Sequence, residues 1–302
     1  MIIDCHTHIT YGRFAEFSTE LGRKPFTVRT LLKRMDMEGI DKSLLLSITT
    51  PAAAEFYAVA GNQECIAAAR RYPDRLMTFC SIDPRNMLDT PKANLSALMR
   101  VYKDAGCLGI GEMTAHLPIL DPRMQNMFRH AGECDMPILF HCTAKRRGSY
   151  GFVDRIHLPG MEQTLKQHSR TVLIGHSPAF WAEIDGGVTA RTRDGYAKMP
   201  IRKRGRLWYL LEKYPNLYGD LSAGSGYNAI SRDPEVGYAF LQKFSRKLMY
   251  GSDRFTRADE PPPPQLKYIK DARKDGKITR AAYEDIMHRT FERVVRRKGQ
   301  GA

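Results

Sequence analysis

The chain has 302 residues, 42% of them hydrophobic and 26% charged, a balance that supplies a large core and excludes a disordered chain. No run approaches the ~18–20 apolar residues of a membrane span, and the opening MIIDCHTH has neither a basic leader nor an apolar signal core. A cytoplasmic protein without a membrane partner is therefore expected, and the formal net charge of +14 favours small anionic partners, with nucleic acid behind them.

IIDCH (2–6) predicts a first strand. The apolar spacing of 27–39 predicts a helix that stops at Gly39, and DKSLLLSI (41–48) a second strand. A helix over 62–72, closed by Pro73, leads to a third strand over 75–82. The pattern then repeats: helix 91–106 and strand 107–113, helix 121–135 and strand 136–142, helix 159–169 and strand 171–177. Helix 205–215 precedes strand 216–222, helix 235–245 precedes strand 246–253, and a last helix runs over 282–297.

Eight apolar strands alternating with helices imply parallel strands joined by crossovers. Eight units in this length favour an α/β chain folded as one (β/α)8 TIM barrel over 1–302, ahead of an open doubly wound sheet. The longest irregular stretches, 10–26, 143–158, 178–204 and 254–264, follow strands 1, 5, 6 and 8. They fall on the C-terminal face, where barrel enzymes build their pockets. The six cysteines form no CxxC pair and read as reduced, packed thiols. The basic runs 145–147, 202–206 and 296–298 read as solvated surface.

His6 and His8 form an HxH pair in the first strand, where residues two apart face one side and can share a cation. Imidazole suits zinc, iron and nickel. By the same alternation Cys5 and Cys142 turn away from any metal. The weight lies in recurrence, because Glu112 ends strand 4, His141 strand 5, His176 strand 6 and Asp253 strand 8. Each alone has an ordinary explanation: a core histidine, a loop cap, a partner for an arginine. Six together at strand ends point to one site. Arg146, Arg147 and Tyr150 after strand 5, Trp181 after strand 6 and Arg254 after strand 8 are candidates to hold an anionic substrate or wall its pocket.

The segments DCHTH, FHC, IGHS and YGSD resemble the strand 1, 5, 6 and 8 signatures of the amidohydrolase superfamily. LPGMEQTLKQ, IGHSPAFWAEI and YPNLYGDLSA are similar to its amidohydrolase-related branch, which includes aminocarboxymuconate-semialdehyde decarboxylase. The resemblance implies His6, His8 and Asp253 as metal ligands, His141 as a further ligand, and His176 as a second-site ligand or a polariser of substrate and water. GIGEM also resembles a binuclear deoxyribonuclease branch, in which a glutamate at the place of Glu112 bridges two metals. Thr290 departs from the family's usual asparagine. The implied cofactor is one or two divalent ions, zinc first, with manganese, iron or nickel as alternatives.

Such an ion lowers the pKa of its water from about 15.7 toward roughly 7. The expected activity is hydrolysis of a small anionic amide, lactone or ester, with Asp253 moving the proton and His176 assisting. Non-oxidative decarboxylation of a small carboxylic acid is the first alternative and a metal-dependent nuclease the second. A homo-oligomer is compatible with the sequence.

Overall fold

The structure, a computed structural model, describes residues 1–10, 16, 19–20, 22, 24–50, 53, 58–145, 147–255 and 261–295. Parallel strands β1 (Ile3–Thr7), β2 (Lys42–Leu45) and β3 (Leu76–Thr78) form one sheet. A second parallel sheet runs β4 (Ile110–Met113), β5 (Ile138–Thr143), β7 (Leu173–His176), β8 (Leu217–Asp220) and β9 (Leu248–Met249), and the short β6 (Phe152–Val153) extends the end of β5. Both seams between the sheets are hydrogen-bonded. Cys80 bridges to Ile110, and on the other side Cys5 N donates to Tyr250 O at 3.0 Å and Thr7 bridges to Arg254. The eight strands other than β6, which lies off the sheet path, thus form the ring of a (β/α)8 TIM barrel.

The helices between strands start and stop where local chemistry dictates. Helix α1 (Val28–Glu38) begins at Thr27, whose hydroxyl accepts from Thr30 N, and ends at Gly39 in left-handed backbone. Helices α2 (Asn62–Arg71), α3 (Leu95–Asp104), α5 (Pro159–Gln167), α7 (Arg206–Lys213) and α9 (Pro234–Phe244) alternate with the later strands. Helix α4 (Pro122–Glu133) has Asp121 as its cap and proline in its first turn. Their apolar faces pack on the outer side of the strands, as Leu31 and Met35 do with Leu45 and Leu76. Leu44, Leu46, Phe79, Leu139, Ile174 and Tyr218 form a second core cluster with Ile3 and Cys5.

Two strands are irregular. Between β1 and β2, Asp4 pairs with Ser43 and Thr7 with Leu45, so β1 spends three residues where β2 spends two. Between β4 and β5, Ile110 pairs with Ile138 and Met113 with Phe140, the same excess of one. Each is a one-residue bulge, which re-aims side chains. Cys5 accordingly lies on the inner side with His6, and its thiol sits 3.4 Å from Asp220 Oδ1. The alternation expected from sequence, which turned Cys5 away from the site, fails at this bulge.

Other expectations need smaller corrections. β1 ends at Thr7, so His8 lies just past the strand, and β9 ends at Met249, four residues before Asp253. Three helices carried no clear sequence signal: α6 (Pro178–Trp181), α8 (Ala223–Ser231) and α10 (Pro264–Lys274). The α8 sequence AGSGYNAIS has two glycines and lacks an amphipathic stripe. Gly226 serves close packing, since a Cβ there would stand 2.3 Å from Leu221 O. The C-terminal helical run is broken by a π-turn at Asp285–Arg289. Among the described residues, no helix is long and apolar enough to cross a membrane.

Candidate metal centre

The C-terminal ends of the strands bring six side chains together. His6 Nδ1 donates to Asp220 Oδ2 at 2.6 Å, and His8 Nδ1 donates to the Leu46 carbonyl at 2.8 Å. Both outer partners only accept, so each ring spends its outer proton outward. The two Nε2 atoms then face each other 3.0 Å apart. Two bare lone pairs repel at that distance, so the pair is built to share one positive charge, a proton or a metal cation.

Carboxylates surround that point. Asp253 Oδ1 is 3.3 Å from His6 Nε2 and 3.5 Å from His8 Nε2. Glu112 Oε2 is 3.7 Å and 3.6 Å from the same two atoms. Burial opposes a charge on His6, yet Asp253 and Asp220 lift its imidazole well above the usual range. Burial likewise pushes the Glu112 and Asp253 acids up, but the facing histidines hold both below the ordinary carboxylate range.

Each carboxylate also reaches a second group of ligands. Glu112 Oε1 accepts from His141 Nδ1 at 2.8 Å, and Asp253 Oδ2 lies 3.7 Å from His176 Nε2. Three overlapping triads can hold a metal ion: His6–His176–Asp253, His6–His8–Glu112 and Glu112–His141–His176. The bulges in β1 and β4 deliver His6 and Glu112. Asp253 stands in left-handed backbone at φ 58°, tied by its N–H to His6 O at 2.8 Å.

Among the described residues proposed for substrate, only Tyr150 joins the cluster: its ring lies 4.2 Å from that of His141. With Ile48, Val59 and Phe255 it lines a small pocket over His8, Glu112 and Asp253. Trp181 does not wall a pocket. Helix α6 turns it back into the core, where its Nε1–H donates to Asp220 O at 2.9 Å and its ring fills the space left by Gly219. Arg254 is also drawn away, buried in an ion pair with Glu38 at 2.9 Å. Arg147 is exposed. Arg146 lies outside the described residues.

Sequence reasoning missed Asp220 and Ser222. Asp220 is buried at the end of β8 and contacts both His6 and His176. The signal was available: the YGD of 218–220 ends its strand much as the YGSD of 250–253 follows the last one.

A model of the amidohydrolase family matches residues 3–297. The chain belongs to the amidohydrolase family. This amidohydrolase shares its fold with solved structures of low sequence identity. An uncharacterised TIM-barrel protein from Bordetella bronchiseptica superposes with TM-score 0.63 at 15% identity, covering 97% of this chain and 98% of its own. 5-Carboxyvanillate decarboxylase from Sphingomonas paucimobilis gives 0.61 at 15%, covering 98% and 99%. A probable 2-pyrone-4,6-dicarboxylic acid hydrolase from Acinetobacter baumannii, with citric acid bound, gives 0.58 at 14%, covering 97% and 98%. No curated protein sequence matches the chain.

Proposed function

We propose that this amidohydrolase hydrolyses a small anionic amide, lactone or ester with the help of one or two divalent ions, zinc first, held at the barrel mouth. The observation that carries this reading is the facing His6 and His8 Nε2 pair, 3.0 Å apart and flanked by Asp253 and Glu112. Imidazole and carboxylate donors of this kind suit zinc, manganese, iron or nickel. His6, His8, Glu112 and Asp253 would hold the first ion, and His141 and His176, with the outer oxygens of the same two carboxylates, a second.

When bound, a divalent ion supplies an acidic water and a Lewis acid for the substrate oxygen. The side chains do the rest. With the first ion alone in place, one Asp253 oxygen stays with His6 and His8 while the other, toward His176, accepts the proton of the attacking water and returns it to the leaving group. His176 stands beside that second oxygen at 3.7 Å, placed to polarise the substrate or water there. Ile48, Val59, Tyr150 and Phe255 offer an apolar wall for the body of the substrate and limit water around the reacting bond.

That apolar wall also favours a second reading, non-oxidative decarboxylation of a small ring-bearing carboxylic acid, the type of reaction named for the Sphingomonas relative. In it the same residues orient the carboxylate, and a proton is delivered to carbon as carbon dioxide leaves. A panel of lactones, amides, esters, aromatic carboxylic acids and single-stranded DNA, each with and without chelator, tests both. Hydrolysis lost on chelation and restored by zinc or manganese is the expected result. Carbon dioxide release without hydrolysis would replace the first reading by the second. Turnover indifferent to chelation would remove both.

A further inference from the structure

We propose that Asp220 is a positioning residue that holds a proton on the Nδ1 of two imidazoles at once, His6 at 2.6 Å and His176 mainly through Ser222, the same carboxylate oxygen lying 3.3 Å from the His176 nitrogen. Whatever these rings exchange, a proton or an ion, they then exchange at Nε2.

The case is a donor count. Asp220 is fully buried, and Oδ2 lies 2.6 Å from His6 Nδ1 and 2.6 Å from Ser222 Oγ. The four close neighbours of the carboxylate, His6 Nδ1, Ser222 Oγ, Ser222 N and the Cys5 thiol, can all donate to it, so it serves as the acceptor. His6 Nδ1 then carries a proton and the Ser222 hydroxyl spends its only hydrogen on Oδ2. Ser222 Oγ is then free solely as an acceptor; His176 Nδ1 is its nearer imidazole neighbour at 2.9 Å and must donate, while His6 Nδ1, already spent on Asp220 at 2.6 Å, stands farther off at 3.2 Å. The other carboxylate oxygen is anchored separately, by Ser222 N at 2.9 Å and the Cys5 thiol at 3.4 Å. The chain therefore runs His176 to Ser222 to Asp220, met from the other side by His6.

Both rings consequently turn Nε2 toward the cluster. His6 Nε2 faces His8 Nε2 at 3.0 Å, and His176 Nε2 faces Asp253 Oδ2 at 3.7 Å. Space for the chain depends on Gly251, where a Cβ would stand 2.4 Å from Asp220 Oδ1, 2.8 Å from Ser222 Cβ and 3.1 Å from His6 Cβ. One carboxylate thus couples two imidazoles that belong to different proposed ligand groups. Outer carboxylates that orient ligating histidines are typically worth about 10–100-fold in metal affinity.

The affinity readout rests on the metal reading given above, whereas the tautomer readout stands without it. Long-range 1H–15N spectra of the full chain with 15N-labelled histidine, zinc-loaded and after chelation at one pH, read the Nδ1 protons. In the parent both His6 and His176 are expected to show protonated Nδ1. Ser222→Ala should loosen the Nδ1 proton of His176, left with a 3.3 Å contact, more than that of His6, which keeps Asp220 at 2.6 Å. Asp220→Asn should disturb both and weaken zinc binding by about 10–100-fold in a competition titration. Protonated Nδ1 on both rings in folded Asp220→Asn, or equal changes on both rings in Ser222→Ala, would overturn the proposal. If Asp220→Asn does not fold, the selective effect of Ser222→Ala decides. A parent with the expected tautomers but no zinc binding would defeat the metal reading and leave this one standing.

Discussion

The two halves of the cluster are built differently. His6 and Glu112 come from strands that carry a one-residue bulge, β1 and β4, whereas His141 and His176 sit directly opposite one another on β5 and β7, whose ladder runs unbroken from Ile138–Leu173 to His141–His176. In the regular half, period-two alternation alone aims the side chains. In the bulged half, alternation is broken and the ladder irregularity does the aiming, so neighbours such as Cys5 and His6 share the inner side. The ring centroids are spaced alike in the two halves, 5.0 Å for His6 and His8 and 5.4 Å for His141 and His176, but the bulged half turns two Nε2 atoms to face each other at 3.0 Å with Asp253 and Glu112 beside both. That half, tight at its nitrogens, is therefore expected to dominate cation binding, and the regular half to add a second, weaker site.

The largest test removes the tight half. Replacing both His6 and His8 with Ala should abolish metal retention and activity while the barrel still folds, as read by metal analysis and circular dichroism. The matching His141→Ala, His176→Ala double variant should keep one ion. Equal loss in both doubles would erase the distinction between the halves. Next comes the carboxylate that joins them. Asp253→Asn keeps size but removes the basic oxygen, and proton transfer of this kind is worth about 10²–10⁴-fold, so kcat should fall by that order in a folded, metal-loaded protein. Near-normal kcat would reduce Asp253 to a loop cap. Glu112→Gln, in the same bridging position, should lower metal content from two ions toward one. A single ion in both parent and variant would leave only the tight half as a site.

Smaller effects separate the inner from the outer side of the regular strands. Trp181 fills the space beside Gly219, so Trp181→Ala should destabilise the fold by about 3–5 kcal/mol with KM unchanged, measured by denaturant unfolding and steady-state kinetics. A KM change at unaltered stability would restore it to the pocket wall. Arg147 is exposed, and Arg147→Ala should shift stability by less than about 0.5 kcal/mol. A larger shift in an unfolding titration would show that it is tied into the fold.

Much of the architecture was legible because strand–helix alternation is a local property. Apolar runs of four to eight residues and helical spacing need no partner to be recognised, and eight of them in order specify parallel connections. The gathering of His6, His8, Glu112, His141, His176 and Asp253 was legible for the same reason, since each lies in or soon after a strand of the ring, although His8 falls just past β1 and Asp253 four residues past β9. Helix α8, with its glycines, was not, because its residues were chosen by close packing against Leu221 rather than by helix propensity. Asp220 and Ser222 were not either. Their role depends on which histidines lie across the barrel, at sequence separations of 214 and 46 residues, and no local pattern encodes that. Trp181 and Arg254 sat at loop positions that read as pocket walls, but an aromatic ring goes where a glycine leaves room and a guanidinium goes where a buried carboxylate waits. Strand order and family were written along the chain. The bulges, the shared carboxylate and the side on which each loop residue is buried came from packing, because each depends on atoms that folding alone brings within a few ångströms.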